Sequence, residues 1–385
     1  MKIVHLCISA FYIDNYSYQE NMLTKYHAKM GHNVTVIASL LSFDAKGKLC
    51  YLSTPSEYVN DDGVKVIRID YQHPFYKINK FFLQYKGLYE TIEREKPDII
   101  FTHNIAACGM HTLARYMKVH PHTQLFGDNH MDYINSDLGH KNLKSIIRKH
   151  IWRYCAKEIE PYLKKCYGVT PMRCRYLEDL FHIDSDLIEF LPMGIDDESI
   201  PSDRATVRTQ IRTKFGIKED DFVIVTGGKI DKMKNIHILV KAIEKINDPA
   251  IHVVICGTIM EDMAFLRDQT STNNNIHYLG WCNAETVINC MVAADIACFP
   301  GTHSTLWEQS VGIGLPAIFK RWPEMEHVNI NGNCLFIKGE DVEELADCIR
   351  TMCNPITYNK KRELAMEVSQ QFLYSKIASK AIGLS

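Results

Sequence analysis

A run of apolar and β-branched residues, Phe222-Val223-Ile224-Val225-Thr226, leads into Gly227-Gly228-Lys229-Ile230-Asp231-Lys232-Met233-Lys234-Asn235. Glycines at such a point let a ligand approach the backbone closely. Lys229 and Lys234, five residues apart, can converge on a pyrophosphate across the turn. A solvated turn holding three lysines reads equally well from these residues alone. About 70 residues on, a second apolar run ends at Phe299 and is followed by Pro300-Gly301-Thr302-His303-Ser304-Thr305-Leu306-Trp307-Glu308-Gln309. Thr302, Ser304 and Thr305 are small and hydroxylated, and Ser304 is expected to cap a helix whose first-turn amides form an anion site. Glu308 or Gln309, one turn in, is placed to hold the hydroxyls of a ribose. An ordinary capped strand–turn–helix is the alternative, and the pairing with the lysine loop favours the phosphate reading.

Strands must carry both loops to one edge. Lys2–Ser9 reads as a buried parallel strand, Gln19–Met30 as a helix ended by Gly31, and Asn33–Ala38 as a second strand, which together make a β-α-β unit. Strands are expected at 64–69, 99–101, 123–126 and 167–170, with helices over 79–95 and 140–165. The pattern restarts with strands at 222–228, 251–256, 276–279 and 295–299 and helices at 236–246 and 284–292. Alternation throughout gives an α/β class with two Rossmann-like domains, whose boundary falls in the polar stretch 195–220. Ligands of open parallel sheets sit beyond the carboxyl ends of the strands, so the two domains are expected to face a cleft.

Composition narrows the function. The 385 residues hold 44 Lys+Arg against 46 Asp+Glu, a net charge of −2 that argues against nucleic-acid binding. No apolar run is long enough to span a membrane. The opening MKIVHLCIS moves straight into strand-like sequence and reads as carrying no signal peptide. Thirteen scattered cysteines form no Cys-x-x-Cys pair, as in a reduced, cytoplasmic protein. The seventeen histidines show no metal-ligand spacing, and Asp184-Ser185-Asp186 lies in a linker-like stretch, so no metal site is expected.

These motifs, in their order, resemble those of the family 4 glycosyltransferases of bacterial surface-polysaccharide biosynthesis. The likeness runs through Lys29-Met30-Gly31-His32-Asn33-Val34-Thr35-Val36, Pro97-Asp98-Ile99-Ile100-Phe101-Thr102-His103 and Leu191-Pro192-Met193-Gly194-Ile195-Asp196. It continues in the Gly228–Lys234 loop, with Lys229 where the family has Arg, in His277-Tyr278-Leu279-Gly280-Trp281 and in Ala294-Asp295-Ile296. The resemblance implies the GT-B fold, with an acceptor domain over 1–198, a nucleotide-sugar domain over 199–370 and a C-terminal helix, 371–385, returning to the first domain. It also implies retaining transfer of a sugar from a UDP- or GDP-linked donor to a saccharide or lipid-linked acceptor, without a metal or other cofactor. Gly228, Lys229, Lys234, Gly257, Thr302, Ser304, Thr305, Glu308 and Gln309 would bind the donor. His130, in Phe126-Gly127-Asp128-Asn129-His130-Met131-Asp132, falls where the family has a histidine beside the transferred sugar.

Two departures mark this chain. The family's first glutamate is missing from the 300–309 loop, and His303 or the loop amides are expected to take its place against the sugar. Counting back without a gap from Gly314-Leu315-Pro316 aligns Gln309 with the second glutamate, although Glu308 is preferred on chemistry. The family's first-loop glycine pair is replaced by Ser17-Tyr18-Gln19-Glu20, so Ser17, Tyr18 and Gln19 are read as acceptor-binding. A nucleotide-sugar 2-epimerase of the same fold, or a catalytically inactive sugar-nucleotide-binding module, stays open. In His73–Tyr89 aromatics alternate with lysines, and Lys141–Lys165 carries eight Lys/Arg. These stretches suit peripheral contact with the inner face of a membrane, or helices that simply pack their aromatics inward.

Overall fold

Aliphatic runs become buried parallel strands, and the helical stretches between them cover the sheet faces. The computed structural model describes residues 1–44, 48–136, 138 and 142–384. It has two compact units, Met1–Pro192 with Tyr374–Ser385, and Met193–Leu373, against expected junctions after 198 and 370.

The first unit contains strands β1 (Lys2–Cys7), β2 (Asn33–Ser39), β3 (Leu41–Phe43), β4 (Leu49–Tyr51), β5 (Ser56–Val59), β6 (Lys65–Ile69), β7 (Ile99–Thr102), β8 (Gln124–Asn129), β9 (Leu163–Gly168) and β10 (Ile188–Phe190). Eight form one sheet in the order β10-β9-β8-β7-β1-β2-β6-β5, parallel except at β5–β6, while β3 and β4 pair separately. Its helices are α1 (Gln19–Lys29), α2 (Tyr76–Phe82), α3 (Leu88–Glu95), α4 (Gly109–Val119), α5 (Leu143–Ile159) and α6 (Pro171–Tyr176).

Four local readings change. The single helix expected over 79–95 is two, because Leu83 and Gly87 take left-handed conformations. Between them the buried Tyr85 stacks on Tyr71 and donates its hydroxyl to the Ile8 carbonyl at 2.7 Å, which pulls the chain out of helix. Helix α4 went unassigned, although Met110, Leu113, Tyr116 and Met117 bury one face. Strand β8 extends to Asn129, since Gly127, Asp128 and Asn129 pair with β9. Strand β9 starts at Leu163, inside the stretch expected as helix; of that stretch, His140 and Lys141 lie outside the described residues.

The second unit contains β11 (Phe222–Ile230), β12 (Ile251–Ile259), β13 (Ile276–Tyr278), β14 (Ile296–Phe299), β15 (Ala317–Lys320) and β16 (Cys334–Ile337), parallel throughout in the order β13-β12-β11-β14-β15-β16. Helices α7 (Arg204–Lys214), α8 (Ile236–Ile246), α9 (Leu266–Thr272), α10 (Ala284–Ala293), α11 (Leu306–Ile313), α12 (Val342–Cys353) and α13 (Pro355–Val368) cover it. The last helix, α14 (Tyr374–Ala381), belongs to the first unit, where Tyr374, Ile377, Ala378 and Ala381 share a buried cluster with Met22, Leu23 and Tyr26 of α1.

Strand order reverses between β11 and β14, so the loops after those strands flank the switch point where open α/β sheets bind ligands. At the opposite, amino end of β14, Asp295 receives Arg212 Nη2 at 2.7 Å, Arg208 Nη2 at 2.8 Å and the Val223 N–H at 2.7 Å. The Ala294-Asp295-Ile296 marker therefore fastens α7 to the sheet, far along the strand from the ligand edge.

Candidate active site

The two loops singled out in the sequence lock together. Lys234 lies in a 3-10 turn at 232–234 and donates its ammonium to the carbonyls of Thr302 (2.9 Å) and His303 (3.0 Å), 68 and 69 residues away. Thr302 N–H returns a bond to the Met233 carbonyl at 3.0 Å, and Asn235 Nδ2 donates to the Pro300 carbonyl at 3.1 Å. Gly301 permits this contact, because a Cβ there would sit 2.3 Å from the Met233 carbonyl oxygen. Burial pushes the Lys234 ammonium below its usual pKa. Lys229 is exposed at the end of β11. Gly228 and Gly257 face each other across β11 and β12, and a Cβ on Gly257 would meet the Gly228 carbonyl oxygen at 1.9 Å. The glycines at this edge therefore serve strand-to-strand approach.

Helix α11 departs from expectation in two ways. Ser304 does not cap it: Thr305 holds the cap position in helical conformation without a side-chain bond, and the Ser304 carbonyl takes the Trp307 N–H at 2.9 Å. A tight first turn has used one of the amides assigned to an anion. Glu308 is fully buried, and its Oε1 accepts from His303 Nε2 at 2.7 Å and His327 Nε2 at 2.8 Å. Burial alone would raise this carboxyl; the two imidazoles hold it well below the carboxylate range. Of the residue preferred for a ribose, Oε1 is thus occupied and Oε2 is buried with no hydrogen-bond partner among the described residues, while Gln309, the next residue, is the half-exposed amide on that turn. His303 likewise turns Nε2 inward, with its ring edge-on to Trp307.

Sequence spacing gave no sign of the His303–Glu308–His327 group, whose ligand-type atoms lie within 4.8 Å of one another. The set is chemically able to hold a divalent ion, which would have to displace both hydrogen bonds to Oε1.

In the first unit, His130 follows β8 directly. Its backbone N–H donates to Asn104 Oδ1 at 3.0 Å, and Asn104 N–H donates to Asp128 Oδ1 at 2.9 Å, so the β7 and β8 loops fix each other. Asp128 is buried under His103 and His130, while Asp132 is paired with Arg173 Nε at 3.1 Å. Of Asp128, His130 and Asp132, His130 is the side chain with appreciable exposure, 22%. Burial lowers its pKa, but Asp128 and, more weakly, Glu20 outweigh this and raise it. Glu20, missed in the sequence, therefore belongs electrostatically to this site. Ser17 and Tyr18 are exposed before α1; Gln19 is buried, with neither amide atom hydrogen-bonded among the described residues.

Comparison with known proteins gives two family matches. Residues 21–199 match Glycosyltransferase Family 4, and residues 207–363 match Glycosyl transferases group 1. The chain is 24% identical over 314 residues to the UDP-Gal:alpha-D-GlcNAc-diphosphoundecaprenol alpha-1,3-galactosyltransferase of Escherichia coli, covering 76% of this chain and 73% of that protein. Among solved structures it resembles HepE of Anabaena in complex with UDP, with a TM-score of 0.69 and 15% identity over 99% of this chain and 98% of that one. It also resembles WaaG, a glycosyltransferase involved in lipopolysaccharide biosynthesis, with a TM-score of 0.63 and 15% identity over 99% of this chain and all of that one.

Proposed function

The chain belongs to the family 4 glycosyltransferases, built on the GT-B fold, and from that premise we propose that it moves a sugar from a UDP- or GDP-linked donor to a saccharide or lipid-linked saccharide acceptor, retaining the anomeric configuration. The observation that carries this reading is the union of the β11 and β14 loops through Lys234, at the switch point of the sheet. The nucleoside diphosphate is the leaving group, and Lys229, Lys234 and the loop amides stabilise the charge growing on its phosphates without a metal. Gln309 holds the ribose. His130 orients the transferred sugar, and the leaving phosphate takes the acceptor's proton. Ser17, Tyr18 and the buried, unpartnered amide of Gln19 meet acceptor hydroxyls, since a buried amide needs hydrogen-bond partners.

The test is product analysis with UDP- and GDP-sugars: transfer to an acceptor supports the reading, whereas epimerisation without acceptor, or no turnover, favours the alternatives. Within the donor site, Gln309→Ala should weaken donor binding while melting like wild type. Glu308→Ala should instead lower the melting temperature, because it removes the shared acceptor of two buried imidazoles. Calorimetry and thermal melts on both variants check the ranking, and equal donor affinity in Gln309→Ala would return the ribose to Glu308.

A lipid-linked acceptor would bring the enzyme to the cytoplasmic face of a membrane. Among the described residues no helix is long and apolar enough to cross one. The two basic, aromatic stretches meet, however, where Lys144 Nζ and the Arg148 guanidinium lie 5.2 and 5.9 Å from the Phe81 ring. Helix α2 buries none of its residues, and Phe75, Ile78, Leu143 and Ile147 are exposed around it. This surface suits an anionic interface. Co-sedimentation with anionic vesicles should be lost in Phe75→Ser/Ile78→Ser, and equal binding to neutral vesicles would contradict the assignment.

A further inference from the structure

A buried chain of ring nitrogens runs beneath His130. His130 Nε2 lies 3.4 Å from Asp128 Oδ2, and that oxygen lies 3.0 Å from His103 Nδ1. His103 Nε2 is 3.0 Å from His5 Nδ1, and His5 Nε2 is 2.9 Å from His27 Nδ1. His27 Nε2 ends the chain 2.8 Å from the carbonyl oxygen of Ala378 on α14. His5, His27, His103 and Asp128 are all fully buried. They come from β1, α1, the β7 loop and β8, so the array ties the returning helix to the His130 loop.

The protons can be counted from the fixed end. A carbonyl oxygen only accepts, so His27 carries a proton on Nε2. A neutral imidazole donates from one nitrogen and accepts at the other. His27 Nδ1 therefore accepts from His5 Nε2–H, and His5 Nδ1 accepts from His103 Nε2–H. Were His103 also neutral, its Nδ1 lone pair would face a carboxylate oxygen at 3.0 Å, two acceptors in contact. From Asp128 to Ala378 there are four hydrogen bonds, which need four protons, and three neutral imidazoles bring only three.

We propose that the array holds one proton beyond its neutral imidazoles, on His103, and that this buried imidazolium–carboxylate pair sets the protonation state of His130, with His5, His27 and His103 as positioning residues. The surroundings agree. Burial pushes His27 down to about 4 and His5 well below the usual imidazole range, which leaves His103 as the cation. Burial would raise the Asp128 carboxyl, but His103 and His130 hold it well below the carboxylate range. Cys7 of β1 and Cys166 of β9 face the same carboxylate; burial, then Glu20 and Asp128, pushes the Cys7 thiol up, and burial, then Asp128, the Cys166 thiol, so both stay neutral. Glu20 of α1 and Arg173 of α6 face His130 with opposite signs, and His32 faces His27. With His103 charged, Asp128 is neutralised in place and pulls on His130 less. His130 gives Nε2–H to Asp128 and turns Nδ1 away from it.

The test is two-bond ¹⁵N–¹H spectroscopy of the histidine-labelled full chain across neutral pH. No substrate is needed, so the outcome is separate from that of the transfer assay. His103 is expected with both ring nitrogens protonated, and His5 and His27 as neutral Nε2–H tautomers. In His103→Gln the His130 midpoint should move up by about one pH unit or more, since Asp128 loses its other cation. A neutral His103 in the wild type, or an unmoved His130 midpoint in folded His103→Gln, would overturn the proposal. If His103→Gln does not fold, Asp128→Asn decides. Its amide can donate to His103 Nδ1, so His103 should become neutral and the His130 midpoint should fall; a doubly protonated His103 there overturns the proposal.

Discussion

Asp295→Ala is expected to destabilise the second unit by about 3–5 kcal/mol, the usual cost of removing one partner from a buried ion pair. Arg212 is 2% exposed and Arg208 largely covered, and both guanidiniums point at the Asp295 carboxylate. Without it, two cations and the Val223 N–H lose an acceptor at the amino edge of the sheet. For a unit of this size the melting temperature should fall by roughly 6–20 °C. Asp295→Asn should fall less, because its amide oxygen still accepts from Val223. A melt of Asp295→Ala within about 1 kcal/mol of wild type would show that the arginines find other acceptors.

His130→Ala should lower kcat by about 10²–10³, the size of effect seen when a charge-stabilising donor is removed. Nucleotide affinity should stay nearly intact, because His130 stands on the first unit and the lysine loops on the second. Its ring is held by Asp128 and its backbone by Asn104, so truncation removes a positioned group and little packing. Steady-state kinetics with calorimetric nucleotide binding separate the two quantities. Wild-type kcat would remove His130 from the chemistry, and a parallel loss of nucleotide affinity would mean the fold had shifted.

What the sequence disclosed, and what it hid, follows from the range of the interactions. Strands β1, β2, β7, β11 and β14 were legible because each is an apolar run closed by a turn. The two loops joined by Lys234 were legible because glycine, lysine and hydroxyl residues directly follow such runs. Helix α4 was missed because its buried methionines, leucine and tyrosine are diluted by His111, Thr112 and Arg115. The break at Leu83–Gly87 depends on Tyr85 reaching the Ile8 carbonyl, a contact across 77 residues that no local pattern encodes. Glu308 looked like a free carboxylate on a helix turn, and His327, which fills half of its hydrogen bonding, lies nineteen residues on with no spacing signal. The histidine array is hidden for the same reason: only the sheet topology brings β1, β7 and β8 side by side.

The central claim, that the loops joined by Lys234 form a nucleoside-diphosphate site, is tested most directly by titrating UDP and GDP into wild type and Lys234→Ala, with Lys229→Arg and Lys229→Ala alongside. One nucleotide should bind the wild type at a single site. Lys234→Ala, still folded, should bind it roughly 10- to 150-fold more weakly, the equivalent of about 1.5–3 kcal/mol for a charge-assisted contact. Lys229→Ala should follow the same direction, and Lys229→Arg should bind as wild type. Neither nucleotide binding the wild type, or undiminished affinity in a folded Lys234→Ala, would contradict the claim.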